Sequence, residues 1–298
     1  MAPAPFTPIF PPAEKPLRQR RPGHLSLIKD SFSLPTLMTL GAAVQSLLFL
    51  VLPARYAFLP AAVILLRAAV ITIRQLTSLD HYITQQRGVI PGRTSAQLPQ
   101  ASYDPLRTNE KSSCVFGSTP AGESVVVFLI GARLNHPLGP FSPAAKGLDE
   151  QGTACNQDIL DRAKELGCLG MTTCKGNEAS SHNMFLSVFY FRDLEGLNRF
   201  AHDPIHRRAW EWYEKECTAK GYKHIGVFHE AFCVPKGAYE SIYLNMQPTL
   251  MGTGNAAIRN EATGTDEWVR TLVDASGRGW RSQHSRLGRE VKKQAEEK

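Results

Sequence analysis

Three familiar loop signatures are missing from this 298-residue chain: it has no G-x-G-x-x-G, no Walker phosphate loop and no G-x-S-x-G elbow. Nucleotide-dependent chemistry and a serine-hydrolase reading therefore have no local support. Cysteine is sparse too. Cys114, Cys155, Cys168, Cys174, Cys217 and Cys233 form no C-x-x-C and stand at no zinc-finger spacing with histidine. They read as reduced thiols used as small apolar residues, so no structural metal is expected. No internal repeat is found. Charge, finally, is absent from the whole of residues 34–52, and that absence divides the chain into two dissimilar parts.

The first part is basic and apolar. Residues 1–33 are Pro-rich and read as a disordered tail. Two apolar runs follow at 34–52 and 57–73, interrupted by Pro53-Ala54-Arg55-Tyr56. Each approaches the roughly 20 residues that span a hydrocarbon core, so residues 34–73 are expected to form a transmembrane helical hairpin. The first run begins too late, and leads too directly into the second, for a signal peptide. Arg67 opposes the reading: a charge at mid-span costs about 2.5–3.5 kcal/mol on insertion scales, which snorkelling or a hairpin dipping into one leaflet would relieve. Two buried soluble helices are the competing reading. Charge placement favours membrane lipid as a partner, since residues 1–100 hold ten Lys and Arg against three Asp and Glu, while the remainder holds 24 of each. Arg18, Arg20, Arg21 and Lys29 precede the hairpin; Arg74, Arg87 and Arg93 follow it. Basic flanks at both outer ends place both in the cytosol. Nucleic acid is not an expected partner, because the rest of the chain has no basic groove with stacking aromatics.

Residues 74–123 read as a polar connector marked by Pro91-Gly92, Pro99, Pro105 and Pro120, and residues 251–298 as a polar tail. Between them, residues 124–250 have the size of one domain. Residues 124–132 are β-branched and apolar, the composition of a buried strand. Residues 135–152 read as a long loop, 157–166 as a helix stopped by Gly167, and 168–174 and 184–191 as strands joined by a Gly176-Asn177 turn. Asp193 starts a second helical region, residues 225–234 form a strand ended by Pro235-Lys236-Gly237, and residues 239–245 a fifth, shorter strand. The order β-α-β-β-α-β is the ferredoxin-like α+β plan.

The densest chemistry lies in Phe200-Ala201-His202-Asp203-Pro204-Ile205-His206-Arg207-Arg208-Ala209-Trp210-Glu211-Trp212-Tyr213. Asp203 is placed to cap a helix that Pro204 begins and Gly221 ends. His206, Trp210, Tyr213 and Cys217 recur at i, i+4, i+7 and i+11 and share a face. That face is aromatic and titratable, whereas a helix serving only as cover would more often present Leu, Ile and Ala. An aromatic core with a hydrogen-bonded histidine remains the plain alternative.

These residues resemble a known family. Residues 124–248, about two-fifths of the chain, are similar to the antibiotic-biosynthesis-monooxygenase group of the dimeric α+β barrel proteins, and more narrowly to its fungal, secondary-metabolite branch. The resemblance rests on Leu194-Glu195-Gly196-Leu197-Asn198-Arg199-Phe200-Ala201-His202-Asp203-Pro204-Ile205-His206, on His229-Glu230, and on Tyr239-Glu240-Ser241-Ile242-Tyr243-Leu244-Asn245-Met246-Gln247-Pro248. It implies a homodimer whose two sheets close a barrel, and oxidation of a lipophilic polyketide or terpenoid by dioxygen without a cofactor. It also implies an endoplasmic-reticulum address for the hairpin. Other members of the superfamily bind haem, aldoxime dehydratases among them, so a haem enzyme, a non-catalytic scaffold and a cyclase-like isomerase stand as alternatives.

A cofactor-free oxygenase needs a base near neutrality, donors for the resulting anion and an apolar wall against water. His206 fits the base, His202 a second base or orienter, Trp210 a wall and N–H donor, and Asn245 an oxyanion donor. Phe200 and Tyr213 are candidate substrate contacts. His229 or Glu230 projects inward, but not both, because neighbours on a strand face opposite sides.

Overall fold

The structure, a computed structural model, describes residues 6–17, 32–104, 115–117, 119–176 and 179–289. Cys114, Arg18, Arg20, Arg21, Lys29, Pro105, Asn177 and the charged end from Glu290 lie outside the described residues. Two compact units are present: residues 21–89, and residues 1–20 together with 90–298.

The smaller unit contains helices α1 (Leu34–Val51) and α2 (Leu59–Thr77). Ser33 caps α1 by accepting from the Thr36 N–H, and Pro35 sits in the first turn, where its missing donor costs nothing. A turn of helix at Ala54–Ala57 reverses the chain, tied by Gln45 Nε2 donating to the Ala57 carbonyl at 3.0 Å and by Phe49 meeting Phe58 edge-on at 4.9 Å. Both helices are long and apolar enough to cross a membrane, with mean hydropathy 1.8 over Leu34–Val51 and 2.1 over Ala54–Thr77. Leucines such as Leu50 and Leu65 stand exposed along them.

The larger unit contains β1 (Ile90–Ala96), β2 (Ser102–Tyr103), β3 (Val125–Leu134), α3 (Ala145–Asp161), β4 (Cys168–Lys175), β5 (Met184–Phe191), α4 (Leu194–Ala201), α5 (Pro204–Tyr213), β6 (Ile225–Val234), β7 (Tyr243–Met246), β8 (Asn255–Asn260), β9 (Thr265–Arg270) and β10 (Leu272–Asp274). Strands β4-β5-β3-β6, in that order, form one antiparallel sheet. With α3 between β3 and β4, and α4 and α5 between β5 and β6, the expected ferredoxin-like α+β plan is present. Period-2 alternation sorts the side chains. Val126, Phe128, Phe189 and Phe191 turn to one side and pack under Ile159, Leu166, Leu197 and Phe200 of the helices. Each such side chain, fully buried, contributes about 1.5–3 kcal/mol.

Several expectations change. The 135–152 stretch is loop only as far as Ala144; α3 then begins, carrying Gly147 and Gly152. Gly147 is there for contact, since a Cβ on it would lie 2.4 Å from Trp212 Cζ2. The fifth strand, β7, joins a second sheet, β10-β1-β7, and not the core sheet. Residues 74–123 are more than a connector, because they supply β1 and β2; residues 251–298 are not a polar tail, because they supply β8, β9 and β10. Their composition is polar, yet Ser95 and Thr271 are fully buried, with Ser95 Oγ donating to the Ser241 carbonyl at 2.9 Å and Thr271 Oγ1 to the Met251 carbonyl at 2.6 Å. Hydroxyls satisfied by main-chain carbonyls can be buried without an apolar signature.

Residues 6–17 of the N-terminal tail are structured as well. Phe6 is 1% exposed and packs against Phe116 and Trp280, while residues 7–13 pair with β9 and β10 through Asp274 N–H to Thr7 O, Ile9 N–H to Leu272 O and Ala13 N–H to Trp268 O. This layer lies on the side of the core sheet away from the helices, where Val125, Leu169 and Tyr190 meet Met251 and Tyr243.

Candidate active site

The site is built where α4 breaks into α5. Asp193 Oδ1 accepts from the Gly196 N–H at 2.8 Å to start α4, and a Cβ at Gly196 would fall 1.8 Å from the Leu166 carbonyl oxygen. His202 ends α4. Its N–H donates back into the helix, and its Nδ1 lies 2.8 Å from the Asn198 carbonyl. Asp203 occupies the cap position of α5, but its side chain makes no capping bond. The carboxylate pairs instead with Arg162, which also holds Asp158 at 3.0 Å and Glu165 at 2.6 Å. Hydrogen bonding to Glu165 and Asp203 raises the Arg162 guanidinium further above its ordinary range, and the same bond holds the Glu165 carboxyl below the usual carboxylate value. An ion-pair clamp thus fixes the start of α5.

One turn later stands His206, half-buried, its Nδ1 2.9 Å from the Ala201 carbonyl and its ring edge-on to Phe200 at 5.4 Å. A carbonyl oxygen only accepts, so in the neutral ring Nδ1 carries the proton and Nε2 keeps the lone pair. From the sheet comes His229 on β6, its ring 5.8 Å from Phe128. Phe128 and Phe200 belong to one buried cluster, so one imidazole from α5 and one from β6 border the same aromatic core. Alternation selects His229 over its neighbour: Glu230 pairs with Leu129 and takes the opposite face.

The remaining candidates are placed differently. Trp210 is 54% exposed and stacks on Tyr213 at 6.0 Å, while Trp212 is the tryptophan that packs inward on Gly147. The expected straight stripe to Cys217 is interrupted because Glu214–Thr218 is a π-helical turn, whose wider pitch rotates the register; Cys217 is buried all the same. Asn245 sits on β7 at φ +47°, its Oδ1 accepting from the Gly92 N–H at 2.8 Å. Its strand belongs to the layer on the far side of the core sheet, so the fold does not bring it to the two histidines. Nor is the site an enclosed apolar pocket. The residues of β6 from Val227 to Cys233 are exposed, leaving an open shelf at the margin of the aromatic core. A concavity of about 360 Å³ exists elsewhere, lined by Gln100, Glu123 and Lys236 among others. Cys155 lies on α3, where burial pushes its thiol up to about 11, Asp158 adds to this, and Arg208 opposes it. Among the described residues no group of three His, Cys, Asp or Glu could hold a metal ion. Sequence reasoning had passed over Phe128 and Arg162; the alternation of β3 was the available signal for the first.

A sequence model of the family described as Monooxygenase af470-like matches residues 125–251. The chain is 37% identical over 284 residues to "Monooxygenase af470" of Aspergillus fumigatus, covering 95% of this chain and 98% of that protein. The chain belongs to this family. As a member of the af470-like monooxygenases it is an enzyme, a monooxygenase, and the matched region runs from the start of β3 past β7 to Met251, taking in both imidazoles. Solved structures with some likeness include SnoaB, a cofactor-independent oxygenase from Streptomyces nogalater (13% identity, 36% of this chain and 90% of that chain, TM-score 0.26). Another is a putative antibiotic biosynthesis monooxygenase from Deinococcus radiodurans (12%, 36% and 89%, TM-score 0.25). The aldoxime dehydratase OxdRE has 14% identity over 44% of this chain and 38% of that chain, with TM-score 0.35.

Proposed function

We propose that this monooxygenase is membrane-anchored and oxidises a lipophilic secondary-metabolite intermediate, a polyketide or terpenoid, with dioxygen and no prosthetic group. The observation that carries the reading is His206, held through Nδ1 by a main-chain carbonyl and backed by Phe200, with its Nε2 lone pair free at the edge of an aromatic core. Triplet dioxygen reacts slowly with closed-shell molecules, so the enzyme must first raise the electron density of its substrate. Nε2 takes a proton from an acidic carbon or phenol to give a delocalised anion, and that anion supplies electrons to dioxygen. For an activated methylene the balance closes without an external reductant: CH₂ and O₂ become C=O and H₂O. His229 is the second proton carrier, serving the oxygen that leaves as water. Phe128 and Phe200, both buried, back the two imidazoles with an apolar floor, while Trp210 and Tyr213 offer flat surface further along α5. His202 acts as a positioning residue through the helix break. Asn245, bonded to Gly92, has no part in this assignment.

Two copies meet through the outer face of β6, the part of the core sheet that the second layer leaves exposed, where Phe228 and Phe232 are 37% and 49% exposed; pairing two such faces would cover both. The hairpin of α1 and α2 anchors the protein in the endoplasmic-reticulum membrane, with the larger unit in the cytosol. The lack of charge over 34–52 and the basic flanks support this.

The test is turnover of a candidate intermediate under ¹⁸O₂ by the full chain. One labelled oxygen in the product, lost with His206→Ala, is the expected result. Unlabelled turnover would remove the oxygenase mechanism, and a Soret band scaling with protein would replace it with haem chemistry.

A further inference from the structure

The largest exposed apolar side chain of the larger unit's loops belongs neither to the shelf nor to the outer sheet face. Phe141 is 72% exposed and Leu138 is 56% exposed, both on the segment between β3 and α3. The segment is stiff. Gly139 N–H donates to the His136 carbonyl at 2.8 Å, Phe141 N–H to Leu138 O at 3.1 Å, Ser142 N–H to Gly139 O at 3.1 Å, and the Leu138 N–H is taken by His136 Nδ1 at 3.1 Å. The chain before β6 braces it from the side: Asn135 N–H donates to the His224 carbonyl at 2.8 Å, His224 Nε2 lies 3.1 Å from the Pro143 carbonyl, and the His136 and His224 rings meet at 4.9 Å. Two large apolar side chains are therefore held out in water by a rigid turn, a cost the fold does not recover internally.

The two stretches that flank the tip are basic, with Asp149, Glu150, Glu214 and Glu216 just beyond them. Residues 133–148 and 219–224 contain Arg133, Lys146, Lys220 and Lys223, the two histidines and Tyr222, and not one Asp or Glu. Arg133 Nη2 donates to the Lys223 carbonyl at 3.0 Å, which ties the two basic stretches together. The acids that reach this end come from neighbouring turns: Glu150 lies 3.5 Å from Lys146, and Glu216 pairs with Lys220. Among the described residues no carboxylate forms an ion pair with Arg133 or Lys223. An apolar tip ringed by cations and an amphipathic tyrosine matches the layered chemistry of a bilayer surface, acyl chain beneath anionic headgroup.

We propose that Leu138 and Phe141 insert into the acyl margin of an anionic bilayer, with Arg133, Lys146 and Lys223 on its headgroups, giving the larger unit a lipid contact of its own. The proposal goes beyond the hairpin anchor but rests on the same membrane reading for its setting. The test is hydrogen exchange on the full chain in vesicles of phosphatidylcholine, with and without phosphatidylserine. The peptide over 135–144 reports the tip and the peptides over 34–77 report the hairpin. Exchange at 135–144 about tenfold slower with phosphatidylserine present, and fast again in the doubly substituted Leu138→Asp, Phe141→Asp chain, is the expected result. Both residues are exposed, so the variant keeps its fold, and unchanged exchange in β3 and β5 checks that. Fast exchange at 135–144 while 34–77 is protected overturns the tip and leaves the anchor standing. Protection at 135–144 without protection at 34–77 overturns the anchor and leaves the tip. Protection that follows protein concentration, or added acidic protein, in the absence of lipid also overturns the proposal.

Discussion

Strands β3 and β6 lie side by side for their full ten residues, paired from Val125 opposite Val234 to Leu134 opposite Ile225. Both are apolar, and both read as strands from composition. Their fates differ. β3 sits between two neighbours with Val125, Val126, Phe128 and Leu134 buried, whereas β6 is an edge whose residues from Val227 to Cys233 are all exposed. An apolar strand that its own chain leaves uncovered on both faces has surface to spare for something else. On the helix side that surface carries His229; on the outer side it carries Phe228 and Phe232.

If this difference is functional, substitutions on the two strands must separate stability from activity. His229→Ala on β6, like His206→Ala on α5, is expected to lower turnover by about 10²–10⁴-fold, the range for lost acid–base catalysis. The melting curve should move little, and steady-state kinetics with thermal denaturation on the same samples reads both. Phe128→Ala on β3 should do the reverse, costing about 3–5 kcal/mol of stability through a cavity in the aromatic core, measurable by denaturant titration. An equal stability loss at His229 would erase the contrast.

Gly131 joins the two strands and sharpens the point. It pairs with Phe228, and a Cβ there would fall 2.2 Å from the Phe185 carbonyl oxygen and 2.5 Å from Phe228 Cε1. Gly131→Ala is expected to cost about 1–3 kcal/mol as overpacking, while Phe232→Asp costs less and shifts the oligomeric state seen by light scattering. A Phe232→Asp protein with unaltered mass would return the outer face of β6 to solvent.

The smallest expected effect concerns pH. The Glu165 carboxyl is held below its ordinary range by Arg162, so its contribution is present above the unfolded carboxylate value, about 4.3, and is lost as pH falls through the lower folded value. Melting temperature should decline into acid with a slope that Arg162→Gln flattens, and a parallel decline in that variant would show the clamp to be idle.

The core sheet was legible because its strands are continuous apolar runs: Met184–Phe191 and Ile225–Val234 have the same limits in sequence and structure. The ferredoxin-like order followed from them. The second layer was not legible, since it buries Ser95 on β1 and Thr271 just before β10, whose hydroxyls find main-chain carbonyls, and hydropathy does not register that. Helix α3 was hidden by its two glycines, of which Gly147 makes room for Trp212. At the site, strand alternation correctly allowed only one of His229 and Glu230 inward. Trp210 is exposed: a helical stripe identifies a shared face but not which side of the helix meets its neighbour, and the π-turn after Tyr213 displaces Cys217 from that stripe.

Residues 6–17 bond to Asn255, Trp268, Leu272 and Asp274, although the two apolar helices and the whole core sheet separate the partners in sequence. During synthesis residues 6–17 wait for these partners until some 250 further residues have been made. Nothing shorter can close the second layer. A chain released before residue 280 is made lacks the Trp280 ring that covers Phe6, so premature termination exposes an aromatic side chain more than 270 residues away from the missing ring.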